Sequence, residues 1–84
     1  MYNYDMKTAY VLINCDLGHE ATIIDELKHL DNVKEVHGVF GAYDIITKVE
    51  SDDVENLRDT ITWKIRKLSR VRSTLTLMAI EGQD

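Results

Sequence analysis

Val33-Lys34-Glu35-Val36-His37-Gly38-Val39-Phe40-Gly41 and Tyr43-Asp44-Ile45-Ile46-Thr47-Lys48-Val49-Glu50, joined through Gly41-Ala42, are the stretch that decides how this chain folds. Both runs are rich in Val, Ile and aromatics and are bounded by turn residues, so they read as two strands. In the first, Val36 and Phe40 share one face, and Val33, His37 and Val39 share the other. A connection as short as Gly41-Ala42 makes the pair an antiparallel hairpin, with Gly supplying the positive φ that tight turns demand.

The pattern extends outward on both sides. Thr8 to Cys15 reads as a strand with Tyr10, Leu12 and Asn14 on one face and Ala9, Val11, Ile13 and Cys15 on the other. Asp16-Leu17-Gly18 is a turn. A helix comes next, from Gly18 or His19 to Leu30, with Ala21, Ile24, Leu27 and Leu30 spaced by three and Ile23 widening the stripe. Asp31-Asn32 stops it. After the hairpin, Ser51 caps a second helix whose first turn is acidic (Asp52, Asp53, Glu55) and whose last turn is basic (Lys64, Arg66, Lys67), as the helix dipole favours. Val54, Leu57, Ile61, Ile65 and Leu68 form its buried stripe. Val71 to Ile80 is the last strand, with Ser73, Leu75, Leu77 and Ala79 alternating against Thr74, Thr76, Met78 and Ile80.

The order β-α-β-β-α-β, with right-handed crossovers, predicts an α+β, ferredoxin-like fold: a four-stranded antiparallel sheet with both helices on one face. The other face is left uncovered, yet every strand carries apolar residues at both parities. Small monomers rarely expose such a patch, so the chain is expected to dimerise through the sheet. A length of 84 residues allows one domain and a marginal core, which association would support.

Composition excludes several functions. Ten Lys and Arg against fifteen Asp and Glu give a formal charge of −5, the wrong sign for holding phosphate backbones, so no direct DNA binding is expected. Lys64, Arg66, Lys67, Arg70 and Arg72 form a basic run, but only Trp63 stands near it as an aromatic. The single cysteine, Cys15, allows no intrachain disulfide and fits a reducing cytoplasm. No signal peptide and no membrane-length apolar run is present. His19 and His29 stand ten residues apart on one helix, about 15 Å along its axis, and cannot share a metal within one protomer. His37 has only Glu35 near it. No metal, no cofactor and no catalytic residues are therefore expected, since no nucleophile elbow, phosphate loop or acid–base pair is recognisable.

The local chemistry concentrates in Val39-Phe40-Gly41-Ala42-Tyr43-Asp44. Bare backbone N–H groups, an aromatic ring and a carboxylate suit a zwitterion, with the ammonium on Asp44. A plain hairpin in which Asp44 satisfies turn amides reads equally well.

The chain resembles the effector (RAM) domain of the leucine-responsive regulatory protein/AsnC family. The likeness runs through Ala9-Tyr10-Val11-Leu12-Ile13, Gly18, Val33-Lys34-Glu35-Val36, Gly41-Ala42-Tyr43-Asp44-Ile45, Lys64-Ile65-Arg66-Lys67-Leu68 and Val71-Arg72-Ser73-Thr74-Leu75-Thr76. It implies homodimers assembled into octamers or other rings, and a free amino acid effector bound between dimers near Gly41, Ala42, Tyr43 and Asp44. Ser73, Thr74 and Thr76 would add hydroxyls from the last strand. Full-length members carry an N-terminal helix-turn-helix; here only Met1–Lys7 precede the first strand, so no such domain is expected, and full-length family regulators become candidate partners. The alternatives are a ligand-free oligomerisation or protein-interaction module, an ACT-type domain of the same topology, and a small α+β-barrel enzyme.

Overall fold

The computed structural model describes residues 6–80. Strand β1 is Lys7–Cys15, helix α1 Glu20–Lys28, β2 Val33–Gly38, β3 Ile45–Ser51, helix α2 Val54–Asp59 with a π-helical continuation Thr60–Ile65, and β4 Val71–Met78. The four strands form one sheet in the order β2-β3-β1-β4, all neighbours antiparallel. This is the expected ferredoxin-like arrangement, with β1 in the interior beside both β3 and β4.

The two faces of β1 divide as its alternation predicts. Ala9, Val11, Ile13 and Cys15 are buried beneath the helices with Ile45, Val49, Ile23, Leu27, Leu57, Ile61 and Ile65. The stripe of α1 is centred on Ile23 and Leu27, and the expected Ala21 is exposed. Gly18 takes φ +85° in the turn where His19 N–H donates to Asp16 O, a conformation that suits glycine. Asn32, at φ 74°, ends the α1–β2 turn and donates through Nδ2 to Thr60 Oγ1 at 3.0 Å, pinning that turn to the second helix.

Several local expectations are corrected. β2 ends at Gly38 and β3 begins at Ile45, so the tight Gly41-Ala42 turn is instead a six-residue loop spanning 39–44. It is closed by Val39 N–H to Asp44 O at 2.9 Å and anchored to β1 by Asp44 N–H to Ile13 O at 3.0 Å. A bulge between Val33 and Glu35 breaks the parity of β2. Val33 pairs with buried Val49 and Val36 with buried Thr47, so both lie on the helix side, and Thr47 satisfies its hydroxyl by donating to Glu35 O at 2.8 Å. The cap of α2 is Asp53, whose Oδ1 accepts from Glu55 N–H; Ser51 Oγ accepts from Asp53 N–H one step earlier. β4 stops at Met78 rather than Ile80.

The second helix departs from α geometry after Asp59. Its buried positions Leu57, Ile61 and Ile65 repeat every four residues, a spacing that drifts around a turn of 3.6. The wider turn, marked by Arg66 N–H bonding back five residues to Ile61 O, cancels that drift and keeps all three on the core.

The open face is apolar on one half only. Tyr10 and Leu12 of β1 lie opposite Leu77 and Leu75 of β4, with Ile46 of β3 beside them. β2 contributes Glu35 and His37 there, which corrects the expectation of apolar residues from every strand. Lys48 stands between Glu35 and Glu50, with Nζ–Oε2 distances of 3.7 and 3.6 Å.

Candidate functional site

The strand order brings three chain segments to one end of the sheet. β1 ends there at Cys15, while β3 and β4, both antiparallel to it, begin there. At this end a cleft of about 340 Å³ is lined by Asn14, Cys15, Asp44, Arg72 and Ser73.

Each lining group has a structural reason for its place. Asp44 is held by its backbone N–H on Ile13 O and by its Oδ2, which accepts from Cys15 N–H at 3.0 Å. The carboxylate thus satisfies an amide of β1 and no amide within its own turn. Asn14 and Ser73 face each other across β1 and β4, with Nδ2 and Oγ 3.5 Å apart. Arg72 is the extra residue of a β-bulge: Asn14 pairs with Ser73 and Cys15 with Val71, which leaves Arg72 without a partner position. Bulges re-aim side chains in this way and recur beside functional sites. Arg70, at φ 77°, enters the bulge; its carbonyl accepts from Asp16 N–H at 2.9 Å and its Nη1 lies 3.6 Å from Asp16 Oδ2. Arg72 Nε is 3.9 Å from Asp16 Oδ1.

The cleft therefore presents one carboxylate, one guanidinium, an amide and a hydroxyl. Burial, and secondarily the charge of Asp44, pushes the Cys15 thiol above its ordinary value, so the sulfur stays protonated and is a poor nucleophile. Among the described residues, no cluster of three His, Cys, Asp or Glu side chains could hold a metal. His37 meets Glu35 at 3.2 Å on the exposed face, and His29 Nδ1 lies 2.7 Å from Asp25 O. Among the described residues, no helix is long and apolar enough to cross a membrane.

Of the residues predicted for a ligand, the structure brings Asp44 and Ser73 together. Thr74 lines an adjoining cleft of about 330 Å³ with Arg66, Val71, Arg72 and Ser73. Thr76 is opposite buried Val11, on the helix side of β4, and joins neither. Gly41, with φ +152°, and Ala42 lie exposed in the loop before Asp44, and Tyr43 is half-buried. Asn14, Cys15, Arg72 and Arg66 line these clefts and are not among the residues expected to hold a ligand. The expected topology held the signal, because it already sets the end of β1 against the beginnings of β3 and β4.

Comparison with known proteins agrees with this architecture. The profile of the Lrp/AsnC ligand binding domain matches residues 8–82. Homocitrate synthase of Saccharolobus solfataricus is 34% identical over 74 residues, covering 87% of this chain and 16% of the synthase. An uncharacterised HTH-type transcriptional regulator of Pyrococcus furiosus is 31% identical over 75 residues, covering 86% of this chain and 50% of the regulator. The chain thus spans half the length of one relative and a small part of the other. A crystal structure of a Thermus thermophilus protein superimposes with a TM-score of 0.85 at 35% identity, covering 93% of this chain and 98% of that one.

Proposed function

Because this chain belongs to the Lrp/AsnC ligand binding domain family, we propose that it binds a free amino acid in the Asp44 cleft and regulates transcription or metabolism without catalysing a reaction. The observation that carries this reading is the pairing of Asp44 with Arg72 in one cleft, flanked by Asn14 and Ser73. A zwitterion offers the complement: ammonium for the carboxylate, carboxylate for the guanidinium, and a remainder within reach of an amide and a hydroxyl. The likeness to an HTH-type regulator and to a homocitrate synthase fits a module that controls an activity carried elsewhere.

The exposed surface supports an assembly. The half-apolar open face pairs two copies sheet to sheet. Leu17 and Phe40, 93% and 105% exposed, sit in the loops at the cleft end of the sheet and suit a contact with a second dimer. A ring of dimers, octameric or of another even size, closes the cleft beside Gly41, Ala42 and Tyr43. Full-length family regulators are the natural partners.

The test is a thermal-shift screen of the twenty amino acids, since a ligand that binds only the folded state raises the melting temperature. Calorimetry of Asp44→Asn against the amino acid that stabilises most then examines the site. Asn keeps an oxygen for Cys15 N–H, so folding survives. Loss of the charged contact, about 1.5–3 kcal/mol, weakens binding roughly 10- to 150-fold. Wild-type affinity in folded, normally assembled Asp44→Asn would assign Asp44 to architecture alone.

A further inference from the structure

The Asp44 cleft and the cleft around Arg66 and Thr74 share a wall, since both are lined by Arg72 and Ser73. Both lie at the start of β4, an edge strand. The bulge places Arg72 between them.

The charges along this path are unevenly matched. Arg70 is committed to Asp16 by the 3.6 Å ion pair and by the Asp16 N–H bond to its carbonyl. Arg72 approaches Asp16 only through Nε, at 3.9 Å, beyond hydrogen-bonding distance, so the Nη edge of its guanidinium remains available. Arg66 forms no ion pair with any acidic side chain among the described residues. Asp44 uses Oδ2 on Cys15 N–H, which leaves Oδ1 for a ligand. Arg66 and Arg72 thus line the two adjoining clefts, with Asp44 the one carboxylate among the lining residues and Asp16 beside Arg72, in a chain whose formal charge is −5. The net field of such a chain repels anions, so a local surplus of arginine is a specific feature against that background.

We propose, on the premise that the Asp44 cleft is an amino-acid site, that its ligand is an acidic amino acid. Its ammonium pairs with Asp44 and its α-carboxylate with Arg72. Its side-chain carboxylate reaches the guanidinium of Arg66, with the Ser73 and Thr74 hydroxyls donating to the two carboxylates. The planar fork of arginine matches a carboxylate in two parallel hydrogen bonds, which lysine cannot do. A neutral amino acid leaves Arg66 unmatched. A basic one sets its side chain against Arg66 and Arg72, a like-charge contact that lowers affinity.

The experiment is calorimetric titration of the full chain with L-glutamate, L-aspartate, L-glutamine, L-leucine, L-lysine and glutarate, repeated on Arg66→Gln and Asp44→Asn. Arg66 is exposed, so its replacement leaves the fold intact. Glutamate or aspartate is expected to bind most tightly. Arg66→Gln should weaken that binding about 10- to 100-fold and weaken L-glutamine by less, and glutarate, which lacks the ammonium, should bind weakly. Tightest binding of leucine or lysine, lost in Asp44→Asn, would overturn the acidic specificity while upholding the amino-acid site. Equal affinity of Arg66→Gln and wild type for the acidic ligand would remove Arg66 from the site, and glutarate binding as tightly as glutamate would remove the ammonium contact. No binding of any amino acid at millimolar concentration would overturn the specificity and the underlying site together.

Discussion

The carboxylate of Asp44 accepts the backbone N–H of Cys15 at 3.0 Å, a bond between residues 29 apart in sequence that fastens the loop before β3 to the last residue of β1. One oxygen of Asp44 therefore holds the sheet end together, and the same residue lines the cleft. The same contact sets the carboxylate's negative charge close to a buried thiol.

That proximity has a signature in alkali. Burial first, and Asp44 second, raise the Cys15 thiol above its reference value of 9.0. In the unfolded chain the thiol ionises at that ordinary value, while the folded thiol keeps its proton. The unfolded state then binds fewer protons, so stability falls as pH rises above about 9 and levels off once the folded thiol ionises too. Lys48 is raised as well, by Glu50 first, but its loss begins only above 10.5. Thermal melts from about pH 8 to pH 10 should show a shallower decline for Cys15→Ala than for wild type. Parallel curves across the window would show that the thiol does not contribute.

The open face predicts what would break the proposed dimer. Leu75 and Leu77 are 44% and 51% exposed, opposite Leu12 and Tyr10. Covering a leucine contributes about 1.5–3 kcal/mol, and a two-fold interface counts each residue twice. Leu77→Asp should shift a dimer or ring to monomers in sedimentation analysis while the far-ultraviolet circular dichroism stays native. Unaltered assembly of that variant would place the interface elsewhere.

Asn32 separates a hydrogen bond from a backbone preference. Asn32→Gly keeps the left-handed φ available and removes only the bond to Thr60 Oγ1, a loss of about 0.5–1.5 kcal/mol. Asn32→Ala adds roughly 1–2 kcal/mol for a side chain in that conformation. Denaturant unfolding should rank wild type above Gly and Gly above Ala. Equal stability of the two variants would show that the φ of 74° is not maintained in solution.

Element order, strand pairing and the two faces of β1 were legible because each rests on a local pattern. Ala9, Val11, Ile13 and Cys15 alternate with Tyr10, Leu12 and Asn14, and no irregularity interrupts them within the strand. β2 misled for the opposite reason: an unpaired Lys34 reverses the parity of the residues after it, and single-sequence alternation has no sign of a bulge. Val39 and Phe40 have strand-forming side chains, yet they lie in a loop whose shape is set from outside, by Asp44 on Ile13 and Cys15. Tertiary bonding overrides propensity there. Asp44 and Ser73 could be singled out from their chemistry, whereas Arg72 acquires its position only through a bulge against β1, and Asn14 only by pairing with a residue 59 positions away.

Strand β1 also sets a distance between the cleft and whatever is joined to this domain. Ala79 N–H donates to Thr8 O at 2.9 Å, so the first and last described segments leave the sheet side by side. They do so at the beginning of β1, whereas Asp44, Cys15 and Arg72 gather at its end. Nine residues of strand separate the two, a span of roughly 25–30 Å at about 3.3 Å per residue. A segment fused at either end would therefore start from the same pole, opposite the cleft. In the proposed assembly, occupancy of the cleft would have to reach such a segment along the length of the sheet or through neighbouring copies, by a change in how subunits are spaced rather than by touch.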